Sequence, residues 1–173
     1  MTLSDAYGDR FAELEEQFLT TKVGDLFDEC FGCGPKHPIG LRVRCFKTED
    51  GVLTPVFVPR RFMGPRGAAH GGIVTTYLDE ILVGAAFRES GRLSVTGEIT
   101  VRFVKPVPLE TPLLGRGRLT ARYDHDRYID VEGVIEELTS SELLARARGR
   151  FFFSEASAFS EASARATPRV PGS

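Results

Sequence analysis

The chain has 173 residues, 42% hydrophobic and 27% charged, with a formal net charge of −2; that is enough for one domain with a sizeable core and too little for two ordinary ones. So even a charge balance gives no electrostatic footing for nucleic acid or an anionic membrane surface, and no apolar run approaches the ~20 residues that span a bilayer. The N-terminus lacks the basic start and apolar core of a signal peptide, and three cysteines (Cys30, Cys33, Cys45) do not make a disulfide framework, so a cytoplasmic protein is expected.

In chain order, Tyr7, Phe11, Leu14 and Phe18 recur at four- and three-residue steps, with Leu3 one turn back and Ser4 placed as an N-cap. The spacing predicts an amphipathic helix over 4–20, and residues 1–22 are read as an N-terminal helical segment. Residues 41–47 and 51–58 read as strands on either side of Glu49-Asp50-Gly51, a hairpin signal. After the Pro/Gly-rich loop 59–67 the period turns helical over 70–88. Ile73, Val74, Tyr77, Leu78, Ile81, Leu82, Val83, Ala85, Ala86 and Phe87 leave almost no polar stripe, the pattern of a buried helix. Residues 93–104 alternate, with Val95, Gly97, Ile99, Val101 and Phe103 on one face and Thr96, Glu98, Thr100 and Arg102 on the other. Further strands follow over 113–123, 128–137 and 143–153. A hairpin, one apolar helix and four long strands predict an α+β domain over 23–153, its antiparallel sheet curled around the helix. Residues 154–173, which repeat Ser-Glu-Ala-Ser-Ala, are poor in large apolar groups and are expected to be disordered.

Two features carry chemistry. Arg116, Arg118 and Arg122, then Arg146, Arg148 and Arg150, line the polar faces of two strands, while Asp130, Glu132 and Glu136 line the strand between them. Cross-strand ion pairing accounts for these rows without a nucleic acid. The stretch His70-Gly71-Gly72 opens the apolar helix with a bare backbone, where unpaired N–H groups and the helix dipole favour negative charge. Asp79 follows about two turns later. A carboxylate on a buried helix needs a partner or a task, and so does its neighbour Glu80. A helix start that polarises a carbonyl, with a carboxylate that activates water or attacks carbon, points to acyl transfer to water.

Three blocks of sequence, 30–41 (Cys30-Phe-Gly-Cys-Gly-Pro-Lys-His-Pro-Ile-Gly-Leu41), 70–80 (His70 to Glu80) and 96–107 (Thr96 to Val107), stand in the order found in the PaaI-like acyl-CoA thioesterases of the phenylacetate-pathway type, and the chain resembles that family over about residues 23–153. The resemblance implies a hotdog fold, a six-stranded antiparallel sheet wrapped around a central helix, here with an extra N-terminal helix. It implies a homodimer or homotetramer with sites at the subunit interface, and hydrolysis of an acyl-CoA or acyl-carrier-protein thioester. By the same resemblance Asp79 is the general base or nucleophile, the Gly71 N–H holds the oxyanion, Thr96 orients water, and His70 holds the loop shape. Gly72, Glu80, Met63 and Gly64 would lie against the substrate, with Lys105 and Arg66, or Arg60 and Arg61, at the CoA phosphates.

Gly71 and Asp79 are eight residues apart, about 12 Å along one helix. One thioester carbonyl cannot touch both on that helix, so the two must come from different subunits. Met63 and Gly64 stand where relatives often place Gln or Asn, a donor whose loss removes ~3 kcal/mol of stabilisation. That departure leaves open a non-catalytic acyl or aromatic ligand-binding protein, and a hotdog hydratase or dehydratase is the other alternative. Cys30-x-x-Cys33-x-x-x-His37, with Cys45 beyond, has the residue types of a zinc set. Relatives carry Asn at position 37 and Cys45 falls in a strand, so no metal and no other cofactor is expected.

Overall fold

The computed structural model describes residues 3–17, 27–123 and 127–153. Seven strands run through it: β1 (Glu16–Gln17), β2 (Cys45–Lys47), β3 (Val52–Val56), β4 (Ser94–Phe103), β5 (Leu113–Arg122), β6 (Tyr128–Glu137) and β7 (Leu143–Phe153). They form one sheet in the order β1-β2-β3-β5-β6-β7-β4, each neighbouring pair antiparallel. The long helix α2 (Gly71–Ser90) lies against the sheet's inner face. This is the hotdog arrangement, with six strands where they were expected and β1 added at one edge.

The helix is buried because its side chains leave it no other choice. Leu78, Ile81, Leu82, Ala85 and Ala86 are fully shielded, packed with Ile129, Val131, Ile135, Ala145 and Phe151 from the strands that cross beneath them. Close approach is set by glycine at the contact: a Cβ on Gly117 would lie 2.8 Å from the Ile81 carbonyl oxygen. At its end, Gly91 adopts a left-handed φ of 64° and donates to the Phe87 carbonyl, which stops the helix. On the outer face the arginine rows meet their acids: Arg116 with Glu136 at 2.7 Å, Arg118 with Glu132 at 2.8 Å, Arg150 with Asp130 at 2.8 Å. Exposed pairs of this kind each contribute little.

The N-terminal segment corrects the expected helix over 4–20. A short helix α1 (Leu3–Tyr7) passes into a 3-10 turn over Gly8–Phe11, and then the chain pairs as β1 with β2. Gly8, at φ 58°, is in the left-handed region, where glycine is at no disadvantage and the helix breaks. Tyr7 and Phe11 still bury, against Phe46, Leu53 and Leu114, so the apolar spacing was real but served a turn-and-strand path. Residues 18–22 of that reading, and the tail 154–173, lie outside the described residues. Among the described residues no helix is long and apolar enough to cross a membrane.

Candidate active site

The entry to α2 is built from a compact loop. Arg60–Phe62 and Pro65–Gly67 form 3-10 turns, Met63 bridges Ala69, and the His70 N–H donates to the Phe62 carbonyl at 3.0 Å. His70 is the N-cap: its Nδ1 accepts the Gly72 N–H at 3.0 Å, the satisfaction of an orphan donor that capping supplies. The imidazole takes up the donor at Gly72 and so ties the loop to the first turn of the helix. The Gly71 N–H, the first of the helix, has no acceptor among the described residues. A Cβ on Gly71 would meet only the Phe103 ring at 3.5 Å, so nothing in the packing demands glycine there. Its bareness leaves the N–H open to something outside.

Two turns further, Asp79 is half-buried and its Oδ1 accepts the Thr96 hydroxyl at 2.8 Å. Burial raises the Asp79 carboxyl above its ordinary value, and the Thr96 bond opposes that shift. How Thr96 comes to face the helix is the one feature that alternation predicted wrongly. Thr96 and Glu98 were expected on one face. The β4–β7 register slips between them, so that Thr96 lies opposite the buried Phe151, on the inner face, while Glu98 lies opposite Arg150, on the outer face. Gly97 is the extra residue of this bulge. A Cβ on it would stand 2.2 Å from the Phe152 ring, so the bulge is fitted to a residue without a side chain.

β4 is also the end of the sheet. Among the described residues it pairs with β7 alone, and Val95 and Phe103 on it, with Val104 just beyond, are 42%, 52% and 45% exposed. Ten residues of unpaired strand edge beside apolar side chains are a ready partner surface.

The remaining expected site residues divide. Met63 is half exposed beside the helix start. Gly64 is fixed by its neighbour, since a Cβ would lie 2.8 Å from the His70 Cα, tighter than a side chain tolerates. Lys105 is engaged with Glu142, and Arg60 with Glu110 at 3.2 Å. Arg66 is exposed and stands at a positive φ of 59°. Glu80 does not join Asp79 and Thr96. Its carboxylate turns to the loop at residues 30–33, and burial pushes it up to about 8. Cavities of about 710, 270 and 430 Å³ lie elsewhere, and none is lined by Asp79, Thr96 or Gly71.

Residues 66–140, which hold the helix, β4, β5 and β6, match the family model of the thioesterase superfamily. Among solved structures the chain is similar to a thioesterase superfamily protein (25% identity, TM-score 0.63, covering 73% of this chain and 61% of that one). It is also similar to the Escherichia coli PaaI protein from the phenylacetic acid degradation operon (17% identity, TM-score 0.56, 65% and 83% covered). A third neighbour is a hypothetical thioesterase from Streptococcus pneumoniae TIGR4 solved with coenzyme A (20% identity, TM-score 0.58, 65% and 88% covered). That pneumococcal protein has also been solved with an aspartate-to-alanine and with a threonine-to-alanine substitution. No curated protein sequence matches the chain. The chain has the hotdog fold, and its residues 66–140 are similar to the thioesterase superfamily.

Proposed function

We propose that the chain hydrolyses an acyl-CoA thioester at a site shared by two copies, with Asp79 of one and the Gly71 N–H of the other. The observation that carries this reading is the hydrogen bond from Thr96 to Asp79, which holds a half-buried carboxylate of the core helix beside the β4 bulge. The free Asp79 oxygen takes a proton from water, and the resulting hydroxide adds to the thioester carbon. Negative charge gathers on the carbonyl oxygen, where the Gly71 N–H and the helix dipole receive it. Collapse breaks the C–S bond, and the thiolate leaves with the proton. Thr96, donating to Asp79, keeps lone pairs with which to orient the water. Asp79 attacking as a nucleophile, through an anhydride that water then opens, uses the same positions.

Several features support the shared site. Gly71 and Asp79 are separated by about 12 Å of helix. The β4 edge offers apolar side chains and backbone to a second copy, and none of the three cavities described above is lined by either group. The pneumococcal neighbour, bound to coenzyme A, had an aspartate and a threonine singled out for substitution, 16 residues apart there against 17 here. Free thiols at Cys30, Cys33 and Cys45 accord with a reducing compartment such as the cytoplasm.

Gly71→Pro tests the oxyanion role directly. Proline is well suited to the first helical position, and His70, at φ −64° and ψ 135°, already has the extended conformation required before proline. The substitution deletes one unpaired N–H and leaves the helix. Thiol release from a panel of acyl-CoAs should fall ~10²–10³-fold with the melting temperature unchanged; an unaltered rate would remove Gly71 from the mechanism.

One observation favours a second reading. Met63 and Gly64 supply no amide where the resemblance leads one to expect it, and the close approach of Gly64 to His70 leaves no room for a side chain at 64, so one polarising group is missing. A non-catalytic acyl or aromatic ligand-binding protein would show calorimetric binding of acyl-CoA with no thiol release by the wild-type chain.

A further inference from the structure

On the side of α2 away from Thr96, a second cluster stands apart from the proposed active site. Cys30 and Cys33 bring their sulfurs to 3.4 Å, and the Glu80 carboxylate reaches Cys30 Sγ at 3.9 Å from 50 residues along the chain. One donor atom from each lies within 4.8 Å of the other two. Sequence spacing alone suggested His37 and Cys45 as companions for the cysteine pair, and the structure sends both elsewhere. His37 Nδ1 accepts the Ile39 N–H and its ring packs on Phe31. Cys45 is buried against Thr54 and the Glu80 backbone carbonyl.

The turn Cys30-Phe-Gly-Cys-Gly34 holds the two sulfurs side by side. Its frame is closed by backbone bonds from Gly34 to Cys30 (2.8 Å), Leu41 to Phe31 (2.9 Å) and Val43 to Gly32 (2.8 Å). Gly32 is bare where Glu80 comes in: a Cβ there would sit 1.9 Å from Glu80 Oε1. Glu80 has no lysine or arginine partner among the described residues. A carboxylate removed from water beside two thiols, with no cation to meet it, is an incomplete arrangement.

We propose that Cys30, Cys33 and Glu80 bind one zinc-class divalent cation that ties the 30–43 loop to α2. Two thiolates and a carboxylate are a recognised zinc donor set, and tetrahedral bonds of about 2.3 Å to sulfur set the sulfurs about 3.8 Å apart. The pair opens by a few tenths of an ångström to reach that span. A cavity of about 270 Å³, lined by Cys33, Cys45, Glu80 and Gly84, adjoins the cluster and leaves the fourth position to water. The cation ties the loop to α2 through Glu80, while Asp79, the neighbouring residue, turns to Thr96; it takes no part in thioester cleavage.

The test uses the full chain. Purified under reducing conditions with zinc supplied, it should carry about one zinc per chain by elemental analysis, and stripping the metal should lower its melting temperature. Cobalt added to the stripped wild type should produce a thiolate-to-cobalt charge-transfer band. Cys30→Ser and Cys33→Ser should abolish the band. Gly32→Ala, which displaces the Glu80 carboxylate, should weaken cobalt binding about 10-fold or more, while His37→Ala and Cys45→Ser should keep it. Wild-type protein that neither retains zinc nor gives the cobalt band overturns the site, even if the cysteine variants misfold. A band that survives Cys33→Ser, or that is lost in His37→Ala and kept in Gly32→Ala, overturns the ligand set.

Discussion

Asp79→Asn should lower kcat for acyl-CoA hydrolysis by about 10²–10⁴-fold, the range expected when a positioned general base is lost. The substitution keeps the size of the side chain and its bond from the Thr96 hydroxyl, since an amide oxygen accepts as a carboxylate oxygen does. It removes the charge and the basicity. Burial that disfavours an ionised Asp79 does not disfavour the amide, so the variant should be at least as stable as the parent, and its oligomeric state should be unchanged. Free-thiol release measured alongside size-exclusion chromatography separates the outcomes. A large drop in rate with the assembly intact fits the base or nucleophile role; wild-type turnover excludes it.

Phe151→Ala should destabilise the fold by about 3–5 kcal/mol, the cost of truncating a fully buried phenylalanine. Phe151 is completely shielded and packs with the α2 core, and it lies opposite Thr96 in the β4–β7 register. Its ring passes close over Gly149, where a Cβ would stand 2.7 Å from Cε2. A cavity here loosens the part of the sheet that holds Thr96 under Asp79, so activity should fall with stability. Phe152, one residue on, is 42% exposed, and its truncation should cost far less. Denaturant unfolding of the two variants reads the contrast directly, and equal losses would mean that the inward and outward faces of β7 are wrongly assigned.

Those two neighbours show what periodicity makes legible. The helix was readable because apolar residues fill ten of the fifteen positions of 73–87, and the four long strands because their alternation persists over ten or eleven residues. His70, Gly71 and Asp79 could be singled out because cap, bare turn and buried acid are local features of one helix. Thr96 was placed on the wrong face because one extra residue in a strand reverses every position on one side of it. Gly97 inside the strand was the available signal. The N-terminal segment failed for the same kind of reason: its 3.6-residue spacing was genuine, but the positive φ at Gly8 and pairing with β2 outweighed it. The Glu80 cluster was out of reach, since it joins groups 50 residues apart whose meeting depends on where the loop lies over the helix.

The exposed β4 edge and the separation of Gly71 from Asp79 both lead to a site completed by a second copy, and a mixed assembly tests this most directly. Chains carrying Asp79→Asn and chains carrying Gly71→Pro should each be nearly inactive alone. Refolded together in equal amounts, they form mixed dimers in which one site has both substitutions and the other has neither. Thiol release should then recover to about a quarter of the wild-type rate, as random pairing in a two-fold assembly dictates. No recovery, with mixed dimers shown to be present, would contradict a site shared between chains.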